Sequence, residues 1–149
     1  MQLNLPSHIF KMKTKPDGHR VIFDSLRRRY VALTPEEWVR QHFVRYLIDN
    51  KGFPSALMAN EVSLIQNGIQ RRCDTLVADA TGAPLLIVEY KAPNVEISQA
   101  VFDQIVRYNM VLRARYLVVS NGLSHYCCKI NYDGDSYTFL PEIPLYRDL

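Results

Sequence analysis

From residue 34 onward the apolar positions switch between helical and strand spacing, and the order of those blocks already implies an architecture. Val39, Phe43, Tyr46 and Leu47 recur three or four residues apart, which predicts an amphipathic helix with one inward stripe. Its start is written in Thr34-Pro35-Glu36-Glu37, where Thr34 suits the N-cap, Pro35 the first helical position and Glu37 the closing member of a capping box. The helix is expected to run to about residue 50, with Gly52 ending it ahead of Pro54. Glu36 falls on the same stripe as Val39 and Phe43.

Residues 59 to 65, 72 to 79 and 85 to 91 then read as three strands of an antiparallel meander, the last two joined by Asp79-Ala80-Thr81-Gly82-Ala83-Pro84. Helical spacing returns in Ile97, Val101, Ile105, Tyr108 and Leu112, followed by a short, very apolar strand at 116 to 120. A strand that follows a crossover helix tends to return parallel beside an earlier one. Asn121-Gly122 predicts a turn, 126 to 130 another strand, and Asp133-Gly134 a hairpin leading into 137 to 140. The tail from 141 to 149 reads as a covering extension. Before residue 34 the pattern is weaker, with β-like pieces at 21 to 23 and 30 to 32 that suggest an edge hairpin or an arm. The expected class is α/β, a mixed β-sheet with an antiparallel meander and flanking helices near 34 to 50 and 96 to 112.

No repeat, low-complexity tract or linker interrupts the 149 residues, so one domain is expected: 1–33 an extension, 34–122 the core, 123–149 a hairpin and tail. Lys11, Lys13 and Lys15 break the apolar letters near the start, and nowhere do about 18 apolar residues run together, which supports neither a signal peptide nor a membrane span. The expected location is cytoplasmic. Cys73, Cys127 and Cys128 are odd in number and lack metal-ligand spacing, as expected of buried, reduced thiols. Residues 1 to 45 carry nine Lys and Arg against four Asp and Glu, a basic third compatible with phosphate contact and equally with a solvated surface. The run Arg27-Arg28-Arg29 shares that ambiguity.

A hairpin turning symmetrically about Thr81-Gly82 sets Asp74 directly across from Glu89, with the two carboxylates on one face and Lys91 two residues further along that face. Opposed Cβ atoms lie about 4.5 to 5.5 Å apart, close enough for both carboxylates to hold one divalent cation. Oxygen donors of this kind, with the Tyr90 carbonyl as a further ligand, favour Mg²⁺ or Mn²⁺ over zinc. Such a cation polarises a phosphoryl oxygen and activates water, and a neighbouring lysine can orient that water. Taken alone, an Asp with a Glu-x-Lys on a strand fits a surface ion pair as well. None of His8, His19, His42 and His125 has partner spacing for a metal or triad, and no Gly-x-Ser-x-Gly or Walker-type loop occurs.

The wording around those residues separates the two readings. Arg71-Arg72-Cys73-Asp74-Thr75-Leu76-Val77, then Leu86-Ile87-Val88-Glu89-Tyr90-Lys91-Ala92-Pro93, then Gln104-Ile105-Val106-Arg107-Tyr108-Asn109 resembles the PD-(D/E)xK nuclease pattern in order, spacing and residue type. The specific resemblance is to the N-terminal nuclease domain of type I restriction enzyme R subunits. It covers about 34 to 122, including Arg40-Gln41, Gly52-Phe53-Pro54 and Ser120-Asn121-Gly122. The resemblance implies a restriction-endonuclease-like core, Asp74 and Glu89 as ligands of Mg²⁺ or Mn²⁺, Lys91 as the catalytic lysine, and Gln104 with Tyr108 as site support and nucleic-acid contact. It also implies a first-helix glutamate, which falls on Glu36 or Glu37; the stripe favours Glu36, leaving Glu37 in a second tier with Glu61 and Arg72. The implied function is a metal-dependent endonuclease acting on DNA in restriction or repair, with a non-catalytic nuclease-fold module that binds nucleic acid or a larger complex as the alternative. R subunits carry a helicase motor after this segment, so motor-coupled restriction is not expected within these residues, and motor or specificity subunits on other chains are the expected partners. A homodimer is left open.

Overall fold

The computed structural model describes residues 2–149, Gln66 through its backbone alone. Strands β1 (Met12–Thr14), β2 (Arg20–Asp24) and β3 (Arg29–Ala32) form a small antiparallel sheet, so the weakly patterned start is a three-stranded unit rather than a single hairpin. Helix α1 (Pro35–Lys51) follows directly. The Thr34 hydroxyl accepts from the Glu37 amide at 3.0 Å, and Gly52, at φ 71°, sends its amide back to the Leu47 carbonyl. The capping box is one-sided, because the Glu37 carboxylate is engaged by arginines and the Thr34 amide donates to Ala32 instead. Val39, Phe43 and Leu47 are fully buried.

The main sheet runs β4 (Met58–Gln66), β5 (Ile69–Ala78), β6 (Pro84–Tyr90), β7 (Tyr116–Ser120), β8 (His125–Asn131) and β9 (Ser136–Leu140), in that spatial order. Neighbours are antiparallel except β6 and β7, which run parallel with Val88 beside Val118, as a strand after a crossover helix should. That crossover contains α2 (Gln99–Met110). Central strands of this kind need cover on both faces. Leu86, Val88 and Tyr90 pack with α1, while Ile87, Leu117 and Val119 pack with Phe102 and Val106 of α2.

Two expectations about α2 need correcting. It starts later and ends earlier than the apolar spacing suggested, because Ser98 caps it by accepting the Val101 amide at 3.2 Å. Its inward face is also turned by about one residue, roughly 100°. Phe102, Val106 and Asn109 are buried, whereas Val101 and Ile105 are half-buried and Tyr108 is 41% exposed. Phe102 sets this rotation by packing against the rings of Tyr126, Tyr137 and Phe139 on β8 and β9. The tail does cover the core, with Ile143 buried and the Tyr146 hydroxyl donating to the Ala78 carbonyl.

Gly122 occupies φ +86° in the turn after β7, and its carbonyl accepts the Asn4 amide at 2.8 Å. A Cβ there would stand 2.8 Å from Leu3 Cδ2 and 3.1 Å from Val39 Cγ2. Gly122→Ala is therefore expected to cost about 1–3 kcal/mol and lower the Tm by about 3–10 °C in a circular-dichroism melt. An unchanged Tm would mean that the N-terminal arm gives way without loss.

Candidate functional site

The β5–β6 hairpin sets the geometry of the site. Asp79 Oδ1 accepts from the Thr81 amide and hydroxyl and from the Ala83 amide, which stabilises the turn. The ladder then pairs Val77 with Leu86, Leu76 with Ile87 and Thr75 with Val88, and the next step along each strand brings Asp74 and Glu89. A register shift between Val77 and Ala78 is confined to the turn end and leaves that pairing as the symmetric turn implied.

Asp74 is held by its own hairpin, since its Oδ2 accepts the Tyr90 amide at 2.8 Å. The Glu89 carboxyl faces it. Burial, then the Asp74 charge beside it, pushes the Glu89 pKa up to about 9, with Lys91 drawing it partly back. Glu89 Oε1 is buried without a hydrogen-bond partner. Two carboxyls packed together with one oxygen unsatisfied form an arrangement that a bound cation relieves. Glu36, at the start of α1, feels the same centre: burial and then Asp74 raise its pKa, while Lys91 lowers it. Lys91 itself follows β6, its amide donating to the Ser120 carbonyl on β7.

Arg40 braces the cluster from below. Its guanidinium donates to both oxygens of Glu37, to Glu61 Oε1 at 2.7 Å and to the Asp74 carbonyl at 2.8 Å. Glu61 lies at φ 55° on β4, in the row that carries Asp74 on β5, and it also accepts from Arg72 at 2.8 Å. Burial works to raise the Glu61 carboxyl, but the two arginines override it and hold it low. The pleat breaks here. Cys73 packs in the α2 layer, while Thr75, two residues on, bonds to Tyr90 in the α1 layer, so Asp74 sits where β5 changes face. A second buried chain of bonds links Asp24 to Asn60, Asn60 to Thr75 and Thr75 to Tyr90, and Arg27 ties Asp24 to Glu37. Arg40→Met would leave Glu37 buried with fewer cations, an expected loss of about 3–5 kcal/mol and a Tm lower by at least about 6 °C. A Tm within about 2 °C of wild type would show that Arg27 alone satisfies Glu37.

Residues 35–144 match the family of the type I restriction enzyme R protein N terminus. The chain belongs to that family. The fold agrees: a fragment structure of a putative HsdR subunit of a type I restriction enzyme from Vibrio vulnificus YJ016 superposes with a TM-score of 0.52 at 20% identity, over 77% of this chain and 25% of that one. The chain thus spans about a quarter of that subunit fragment, and the likeness shows a restriction-endonuclease-like fold. No curated protein matches the sequence. Among the described residues no helix is long and apolar enough to cross a membrane.

Within this R-protein N-terminal domain, the residues read from the sequence are gathered unevenly. Asp74, Glu89, Lys91 and Glu36 share one electrostatic centre. No group of three or more His, Cys, Asp or Glu among the described residues closes around a common ion position, so the tight unit is the Asp74–Glu89 pair. Glu37 is buried in the arginine network, bonded to Arg27, Arg40 and Gln41. Gln104 is exposed, and Tyr108 reaches the outer part of β5, its ring under the Arg71 guanidinium and its hydroxyl 3.4 Å from the Arg72 amide. Glu61 is a braced structural partner rather than a solvated strand residue. Asn109 was missed as a site residue. It is 1% exposed and beside Glu89, and its Oδ1 is also without a partner. The available signal was an asparagine one position outside the assumed stripe. The three cysteines are free and buried, with thiols pushed up to about 12 by burial.

Proposed function

We propose that this domain is a divalent-cation-dependent nuclease that hydrolyses phosphodiester bonds of DNA. The observation that carries the reading is the Asp74–Glu89 pair: two carboxyls forced together, one with a stranded oxygen, and a lysine beside them. The donor set fits Mg²⁺ or Mn²⁺, ions commonly held by one or two carboxylates with water and substrate phosphate completing the shell. Asp74 and Glu89 would hold the ion, with the Tyr90 carbonyl as a further donor. When bound, it supplies charge to the phosphoryl oxygen and acidifies the attacking water. The chain's own groups do the rest. The Tyr90 amide and Arg40 fix Asp74, the Lys91 ammonium orients the water or steadies developing charge, and Glu36 borders the same space. Gln104 and Tyr108 are assigned to strand contact, with the exposed Arg72 beside them. Family membership points to DNA as substrate and to motor and specificity subunits as partners.

The test is nicking of supercoiled plasmid, single-stranded DNA and RNA with Mg²⁺, Mn²⁺ or EDTA. Cation-dependent nicking of DNA is expected. The pairing of only two carboxyls favours a second reading, a nuclease-fold module that binds without turnover. Normal cation binding with no cleavage of any substrate would establish that reading instead.

A further inference from the structure

A cavity of about 550 Å³ opens between the small N-terminal sheet and the start of α1. It is lined by Pro35, which immediately precedes Glu36, and by Pro93, two residues beyond Lys91. Trp38 of α1 and Met12 of β1 contribute further apolar wall, and the exposed Arg20 of β2 and Asn94 supply polar groups. The small N-terminal sheet, outside the residues that match the family, therefore closes one side of this slot.

Resting on the nuclease reading, we propose that this cavity binds an unstacked nucleobase of the substrate DNA strand, next to the phosphate held at Asp74, Glu89 and Lys91. Its chemistry matches a base rather than a protein side chain in three ways. The volume admits a planar heterocycle, within the usual range for small-molecule sites. The walls are apolar and aromatic, as base stacking requires, while Asn94 offers both a donor and an acceptor to a base edge. The charged group of the lining is a cation, Arg20, whose guanidinium lies 3.9 Å from the Met12 sulfur and is exposed to meet a flanking phosphate. Because Pro35 adjoins Glu36 and Pro93 follows Lys91 by two residues, a strand whose phosphate lies between Glu36 and Lys91 would carry its neighbouring base toward the slot.

Trp38 is the chain's single tryptophan and lines the slot as well as a second cavity with Leu3 and His42, so its emission is read together with the Met12 and Arg20 variants, which belong to the slot alone. The experiment titrates the full chain in Ca²⁺, and in parallel in EDTA, with a short single-stranded DNA, with the same strand carrying abasic sites, and with free deoxynucleoside monophosphates, while cleavage is followed separately in Mg²⁺. Saturable quenching by the normal strand is expected, weakened about tenfold by abasic sites and about tenfold by Met12→Glu or Arg20→Ala, the order of one lost stack or phosphate contact. Monophosphates should quench only at far higher concentration. Equal quenching by normal and abasic strands, or no quenching at all, overturns the proposal and leaves the slot to a protein partner. Monophosphates binding as tightly as the strand overturn it in favour of a free-nucleotide site. Quenching that depends on the base without any cleavage in Mg²⁺ upholds the slot while removing the nuclease reading, and cleavage with no base dependence does the reverse.

Discussion

Replacing Glu89 with glutamine is expected to stabilise the metal-free domain at pH 8 and to abolish its response to Mg²⁺. Burial beside Asp74 pushes the folded carboxyl up to about 9 from a reference of 4.5. Below about pH 4.5 the group is protonated folded or unfolded, and it costs nothing. As the pH rises toward 9, the unfolded chain releases a proton that the folded state retains, so stability falls across that whole window. Above it the folded state bears the full cost of a buried anion beside Asp74. Glutamine keeps the shape and removes the titration. At pH 8 the variant should melt about 5–10 °C higher than wild type, corresponding to a few kcal/mol, whereas at pH 4.5 the two should nearly coincide. Saturating Mg²⁺ should raise the wild-type Tm at pH 8, because it binds the folded state alone, and leave Glu89→Gln unmoved. A variant less stable than wild type at pH 8, or one still stabilised by Mg²⁺, would refute this account of the pair.

Asp74→Ala and Lys91→Ala are expected to fail in different ways. Asp74 is the carboxylate that its own hairpin keeps in place, through the Tyr90 amide and through Arg40 on its carbonyl. Without it, one carboxyl is left to hold the ion, and Mn²⁺ binding by calorimetry should disappear. Lys91 lies beyond the pair and contributes charge to the cleft. Its loss should leave Mn²⁺ affinity within about threefold and lower turnover by about 10²–10⁴-fold. Wild-type Mn²⁺ affinity in Asp74→Ala would refute the cation assignment, and a large affinity loss in Lys91→Ala would make that lysine part of the cation site's own packing.

Much of this was legible from spacing. The register that brings Asp74 opposite Glu89 is the one a turn about Thr81-Gly82 predicts, although the ladder reaches it only through the shift between Val77 and Ala78. The stripe of α1 and its Thr34 and Gly52 caps were equally local signals. What escaped was set by distant partners. The rotation of α2 depends on where Phe102 finds rings on β8 and β9, and with it the burial of Asn109 beside Glu89. Glu61 reads as a solvated strand residue until Arg40, 21 positions earlier, and Arg72 converge on it. Glu36 and Glu37 differ by one letter, and what separates them is Arg27 from a segment whose own pattern was faint.

The single parallel joint in the main sheet bears on how the domain assembles. Strands β4, β5 and β6 are consecutive hairpins, and so are β7, β8 and β9, so each half can form through contacts close in sequence. Only β6 against β7 requires the chain to travel out through α2 and back, the closure with the larger entropic cost and the slower approach. Asp74 and Glu89 lie within the first half, whereas Asn109, buried beside Glu89, rides on the crossover. The carboxyls thus meet in a solvated hairpin, where their mutual repulsion is weakly felt, and the desolvation that raises Glu89 is imposed only when the two halves join. A divalent ion captured at the hairpin stage, on the proposed cation site, would ease that last step, and the refolding rate of the domain would then respond to Mg²⁺ along with its stability.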